Sequence, residues 1–253
     1  MALLTYEKKD RILYITMNRP EKRNAINREL GAGIKKAWID FRDDDDLWVA
    51  VVSGAGKAFS SGVDLAEGSI GEATVGSLLD NILQVCPSLY NVWKPTIAAI
   101  QGYCLGNGLL MVHECDIKIA TPDAVFGVPE VKRGSATLFA GYMWGLPPSV
   151  ALELLLTGDY LTSQRLYEVG FINKIVPSEQ LMSEATAMAE RLCEVAPLAA
   201  RFSKQMYRNS RWGADRTMME LAENLAAQGM KSEDAIEGMS AFLEKRKPVW
   251  KGR

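Results

Sequence analysis

Three short segments of this chain gather residue types that could act on a polar ligand. They are Phe59-Ser60-Ser61-Gly62-Val63-Asp64-Leu65, Gly102-Tyr103-Cys104-Leu105-Gly106-Asn107-Gly108 and Phe126-Gly127-Val128-Pro129-Glu130. Each places small, flexible residues between an expected strand and an expected helix. Glycine adopts backbone angles other residues avoid, and the first amides of a helix have no internal acceptor, so such turns can aim N–H groups at a ligand. None of the three holds a nucleophile beside a base. His113 is the only histidine, which argues against a Ser-His-Asp triad and against a multi-histidine metal site. No Gly-Lys-Ser/Thr follows the glycines, so they are not a phosphate-gripping loop, and their spacing does not fit a dinucleotide fingerprint. What remains is a site of backbone dipoles with a carboxylate.

The elements that must hold these turns read as strands and helices in alternation. Leu3 to Glu7 and Arg11 to Met17 are strand-like, joined by the charged turn Lys8-Lys9-Asp10. Asn27 is placed as a helix N-cap, with Leu30, Ile34, Ala37, Trp38 and Phe41 following at helical spacing. The acidic run Asp43 to Asp46 reads as a solvated turn rather than a metal site. Leu47 to Ser53 and Thr96 to Gln101 read as strands, Val75 to Val92 and Gly108 to Glu114 as helices, and Ile117 to Ala120 and Ala124 to Gly127 as short strands. After Ser149 helical periodicity takes over, with Ile172 to Val176 as the sole strand-like insert.

The bulk numbers set outer bounds. With 253 residues, 48% hydrophobic and 24% charged, the chain can bury a large core, as one α/β domain or one with a helical appendage. A formal charge of -2 argues against a nucleic-acid surface, the basic Lys245-Arg246-Lys247 notwithstanding. Four scattered cysteines without a CxxC pair read as reduced thiols in a cytosol-like compartment. The N-terminus does not read as a signal peptide, and no apolar run approaches the ~20 residues of a bilayer span. The expectation is a soluble, cytoplasmic protein without membrane partners.

A run of motifs resembles the crotonase (enoyl-CoA hydratase/isomerase) superfamily. Asn18-Arg19-Pro20-Glu21-Lys22-Arg23-Asn24-Ala25-Ile26-Asn27 is similar to its N-terminal signature, and Phe59 to Leu65 to its FxxGxDL loop. Gln101 to Gly108 with Cys115-Asp116-Ile117 resembles its second loop and helix. Leu156-Thr157-Gly158-Asp159, Val169-Gly170-Phe171-Ile172-Asn173 and Gly238 to Pro248 match later landmarks, so the resemblance covers nearly the whole chain in order.

The resemblance implies an α/β fold, a spiral of ββα units forming two roughly perpendicular sheets, with a core domain at 1–195 and a C-terminal helical region at 196–253. That region would mediate a homotrimer or a dimer of trimers. The backbone N–H groups of Val63 and Asn107 would form an oxyanion hole, where each donor favours the developing enolate charge by roughly 2.7–4 kcal/mol. Asn107 stands where the family usually has glycine, and asparagine tolerates unusual backbone angles better than most residues. Coenzyme A would meet Arg23, Ala25, Ser61, Asp64 and Leu65, largely through backbone contacts, with Phe242 and Lys245 reaching the nucleotide from a neighbouring subunit. No metal or redox cofactor is implied; coenzyme A enters as part of an acyl-CoA substrate.

Two departures from the hydratase pattern bear on the reaction. Family hydratases face one water with two glutamates; Glu130 matches the second, but the first falls at Leu110, which cannot move a proton. Glu114, one turn further along the helix, and His113 are weaker candidates for a second group. After Glu130 the family's PGxGG-like turn is replaced by Gly134-Ser135-Ala136-Thr137-Leu138-Phe139-Ala140-Gly141. Leu110, Leu138 and Phe139 would give a drier acyl pocket, bordered by the helix Val75 to Val92. One base with an oxyanion hole suffices to shift a double bond from 3-enoyl- to 2-enoyl-CoA, and burial should raise its pKa toward working pH. Isomerisation is therefore the favoured expectation. Hydration at an altered site, another crotonase reaction such as decarboxylation or thioester hydrolysis, and a low-activity acyl-CoA-binding homologue are the alternatives.

Overall fold

The computed structural model describes residues 2–66, 82–137, 140–195, 197–205, 207–208 and 233–249. Strands β1 (Leu4–Lys9) and β2 (Ile12–Met17) form an antiparallel hairpin turned by Asp10, which has φ 51°. The chain then runs through helix α1 (Arg28–Asp43) to β3 (Val49–Gly54), which pairs parallel with β2. Asn27 caps α1 by accepting a hydrogen bond from the Leu30 amide at 2.9 Å. The spaced residues Leu30, Ile34, Ala37, Trp38 and Phe41 all lie on the buried face of α1.

Strands β4 (Thr96–Ile100), β6 (Ile117–Ala120) and β9 (Lys174–Ile175) extend the sheet in the order β1-β2-β3-β4-β6-β9, parallel from β2 onward. Side chains alternate across a strand, so its two faces belong to different cores. Leu13, Ile15, Ala50, Val52, Ala98 and Ile100 pack toward α1 and the site. Their neighbours Ile12, Val49, Val51, Ile97 and Ala99 pack on the opposite face, against Leu181, Ala185 and Ala189 of a later helix, Leu181–Cys193. Burial on both sides explains why β3 reads as a continuous apolar run.

Strands β5 (Tyr103–Leu105), β7 (Val125–Gly127) and β8 (Tyr160–Thr162) form a second sheet in that order. Helix α2 (Asn107–Glu114) leaves β5 and is wholly buried. A 3-10 turn, Pro129–Arg133, leaves β7. Further helices are α3 (Pro148–Thr157), α4 (Ser163–Glu168), α5 (Leu181–Cys193, above) and α6 (Glu233–Leu243), and residues 197–205 are also helical. No helix among the described residues is long and apolar enough to cross a membrane.

The fold corrects two sequence expectations. Tyr160–Thr162 is a strand, antiparallel to β7, so Ile172 to Val176 is not the sole strand after Ser149. The helix expected from Val75 to Val92 does not reach its end: Pro87–Tyr90 is a 3-10 turn closed by Asn91 at φ 56°. Residues 75–81 of that stretch lie outside the described residues. Proline lacks the amide a helix interior needs, which fits the break at Pro87.

Candidate active site

The first two glycine-bearing turns are stitched together by backbone hydrogen bonds. The Phe59 amide donates to the Gln101 carbonyl, Ser60 donates to Tyr103, and Leu105 donates back to Ser60, all at 2.8–2.9 Å. The N-terminal signature forms the other flank: Ser61 donates to Arg23, Ile26 to Gly62 and Asp64 to Ile26. Asn24 holds this knot from inside. Its Oδ1 accepts from the Arg19 amide and its Nδ2 donates to the Ala55 and Ala58 carbonyls. Arg19 in turn pairs with the Asp64 carboxylate at 2.9 Å, both side chains nearly buried.

Gly62 (φ 91°) and Gly106 (φ 50°) face each other at the seam. A Cβ on Gly62 would lie 3.5 Å from the Gly106 Cα, and 3.5 Å from the Asn107 amide nitrogen. Both positions therefore need glycine for their left-handed backbone and for the close approach. The next amide after each glycine is the one of interest. Among the described residues, the N–H groups of Val63 and Asn107 have no protein acceptor: the bridge from Ile26 uses Gly62 and Asp64, and Asn107 is the first residue of α2. The first-turn amides of a helix carry partial positive charge. The strained angle sits on Gly106 and not on Asn107, which is helical, so the expected backbone tolerance of asparagine is not what position 107 uses. The Asn107 side chain instead donates to the Ile82 carbonyl at 3.2 Å.

Glu130 reaches this seam from the third turn. A Cβ on Gly106 would lie 2.8 Å from Glu130 Oε1, so the carboxylate rests directly on the loop before α2. Glu130 Oε2 is buried without a hydrogen-bond partner among the described residues. Burial pushes the carboxyl above the ordinary glutamate range, and the nearby Arg133 guanidinium partly offsets that rise. A carboxylate with one oriented and one open oxygen, poised beside two free amides, can exchange a proton with an atom next to an oxygen that gains negative charge.

A cavity of about 590 Å³ opens beside the seam. Its walls include Arg23, Ala25 and Ser61 from one side and Val63, Asp64 and Leu65 from the next. The Asp64 carboxylate is engaged by Arg19 and its amide by the Ile26 carbonyl, so Asp64 braces this wall. The far wall comes from α6 of the same chain: Gly238, Ala241 and Phe242 line it, with Arg246 and Pro248 beyond. Phe242 lines its own chain's cavity, because α6 docks on the 3-10 turn that carries Glu130. Lys245, at φ 56° and exposed, is not on the cavity wall, whereas Arg246 is.

The other candidates do not converge here. Leu110 is fully buried in the main core and, like Glu130 and Asn107, lies behind the residues that line this cavity. Glu114 sits at the far end of α2, about 10 Å along the axis from Asn107 at ~1.5 Å per residue. Its Oε2 pairs with Arg208 at 3.3 Å, both side chains buried. The Nε2 of His113 accepts from the Gly145 amide, its ring packs on Phe171, and burial holds it well below the usual histidine range. Neither lines the cavity beside the seam. Leu138 and Phe139 lie outside the described residues. Among those described, no group of three His, Cys, Asp or Glu side chains is arranged to hold a metal.

Sequence reading missed Arg19, Asn24 and Arg133. The first two lay inside the quoted N-terminal signature, where buried polar residues among turn formers hint at a scaffolded loop. Arg133 carried a plainer signal: it lies three residues after Glu130, one repeat of a 3-10 turn.

Comparison with known proteins agrees with this geometry. The model of the enoyl-CoA hydratase/isomerase family matches residues 7–253. A probable mitochondrial enoyl-CoA hydratase of Dictyostelium discoideum is 35% identical over 250 residues, covering 97% of this chain and 90% of that protein. A carnitinyl-CoA dehydratase of Escherichia coli (strain K12) is also 35% identical, covering 96% of this chain and 95% of that protein. Among solved structures, a carnitinyl-CoA hydratase from Mycobacterium avium superposes over the full length of both chains with a TM-score of 0.88 and 34% identity. The fold is the crotonase fold, and the turns that meet at the seam are its landmark loops. The chain belongs to the enoyl-CoA hydratase/isomerase family.

Proposed function

We propose that the chain catalyses reversible addition of water to a 2-enoyl-CoA thioester, with Glu130 as its single acid–base group. The carrying observation is the apposition of two unpaired amides, Val63 and Asn107, with the Glu130 carboxylate resting on Gly106. In the dehydration direction, Glu130 takes the proton from C2 of a 3-hydroxyacyl thioester. The electron pair moves to the thioester oxygen, where the two amides favour the charge. The enolate then expels the C3 hydroxyl, which takes the proton back from Glu130 and leaves as water. Hydration is the reverse. Relatives named as a hydratase and as carnitinyl-CoA dehydratases support this direction over a pure double-bond shift.

A second reading has its own observation. Leu110 is apolar and buried where the family pattern has another glutamate, and Glu114 is tied to Arg208. With one carboxylate, Glu130 could equally take a proton from C2 of a 3-enoyl thioester and return it at C4, giving the conjugated 2-enoyl product. Turnover of 2-enoyl-CoA and 3-enoyl-CoA by the wild type and Glu130→Gln separates the two. Hydration predicts loss of conjugated absorbance from the 2-enoyl substrate, and at least a hundredfold drop in kcat for E130Q, about the loss of a general acid–base. Gain of conjugated absorbance from the 3-enoyl substrate alone would favour isomerisation, and a fully active E130Q would remove Glu130 from either scheme.

A further inference from the structure

The wall between Glu130 and α6 carries several cations, and they are not equivalent. Lys132 is paired with Asp159 at 2.5 Å. Arg246 is held by Glu237 and Glu244. Arg133 has no carboxylate partner among the described residues; its guanidinium lies 5.3 Å from the centre of the Phe242 ring. A cation over an aromatic face is attracted by the ring's quadrupole without being neutralised, so its field survives.

The backbone places that field on Glu130. Both residues belong to the 3-10 turn Pro129–Arg133, in which side chains three apart eclipse. On the other side α6 is pressed against the same turn: a Cβ on Gly238 would overlap the Arg133 carbonyl. The other groups around Glu130 add little charge. The Gly106 loop brings Tyr103 and the buried Cys104 thiol, which burial pushes well up, α3 brings the exposed Glu153, β8 brings Tyr160, and the charges of Lys132 and Asp159, and of Arg246 and Glu237, pair with each other. Among the described residues of this wall, Arg133 is the cation without a carboxylate partner, and it shares the turn of Glu130.

We propose that Arg133 is a positioning residue for proton transfer, parked by Phe242 so that its charge keeps Glu130 available as a base, which makes α6 part of the acid–base machinery. The inference rests on the reading of Glu130 as the acid–base group. Its sign follows directly. A base must be ionised to accept a proton, and a neighbouring positive charge favours the ionised carboxylate. Without that charge Glu130 protonates at higher pH, and activity is lost earlier as pH falls.

The test is the pH profile of kcat/KM on 2-enoyl-CoA for wild type, Arg133→Gln, Arg133→Met and Arg133→Lys, with Glu130→Gln as reference. In R133Q and R133M the acid limb should move to higher pH, so that activity falls about fivefold further between pH 8 and pH 6 than in the wild type. R133K, which restores the charge, should return the limb toward its wild-type place. Methionine keeps the apolar stem against Phe242, so R133M gives the answer if R133Q does not fold. A purely structural arginine would lower the whole profile without moving the limb, and superimposable normalised profiles overturn the proposal. If E130Q is inactive while the limbs coincide, this inference alone fails; if E130Q is as active as wild type, the acid–base assignment fails and this inference with it.

Discussion

Gly106 shows how much of the proposed mechanism rests on a missing side chain. Its backbone turns left-handed so that the following amide points out of α2, and the absent Cβ leaves the space that Glu130 Oε1 occupies. Gly106→Ala should therefore do two kinds of damage. Positive φ costs a non-glycine residue about 1–3 kcal/mol. The methyl also displaces either the carboxylate or the amide of Asn107. The expected outcome is a fall in kcat of about a hundredfold, the scale of losing one oxyanion donor, with a smaller change in KM, read by steady-state kinetics alongside a denaturant titration. Glycine at this position was visible in the sequence. The choice between Gly106 and Asn107 as the strained residue was not, because residue type alone does not say where a helix begins within a run of Gly-Asn-Gly.

At the scale of elements, α2 separates chemistry from stability along its length. Its first residue offers a free amide to the seam, and its last, Glu114, is buried against Arg208. Removing one partner of a buried ion pair leaves an uncompensated charge and typically costs about 3–5 kcal/mol. Glu114→Gln should accordingly lower the denaturant midpoint by several kcal/mol of unfolding free energy while leaving kcat on acyl-CoA unchanged. Parallel loss of kcat in the fully folded variant would instead bring Glu114 into the reaction. Sequence reading located α1 and α2 to within a residue or two: α1 has a regular apolar stripe and a capping asparagine, and α2 is an apolar run that starts after a glycine turn. It failed for β5 and β8, each three residues long, since a strand that short shows no alternation to count. It failed again at Pro87, where an apolar run was read through a proline. The loops were legible as a family pattern, yet their stitching by Asn24 and Arg19 depends on contacts tens of residues apart in the chain.

At the scale of the whole molecule, the docking of α6 on the turn of Glu130 sets the shape of the cavity. Gly238 permits that contact because any side chain would collide with the Arg133 carbonyl. Gly238→Ala should push α6 outward, withdrawing Phe242 from the wall. We expect KM for acyl-CoA to rise about tenfold, the effect of roughly 1.4 kcal/mol of binding, with the sheet's thermal transition little changed because both buried cores lie elsewhere. An unchanged KM would mean that the wall contributes nothing to substrate capture. Only the path of the backbone shows where the helix returns, and no local pattern encodes it.

The cavity takes its walls from residues 23 to 248, almost the span of the polypeptide. During synthesis the large sheet, complete at Ile175, can leave the ribosome long before α6 exists. Until then the wall that α6 supplies is missing, and the groove beside the seam takes its final shape only when residues 238–248 fold back onto the Pro129–Arg133 turn.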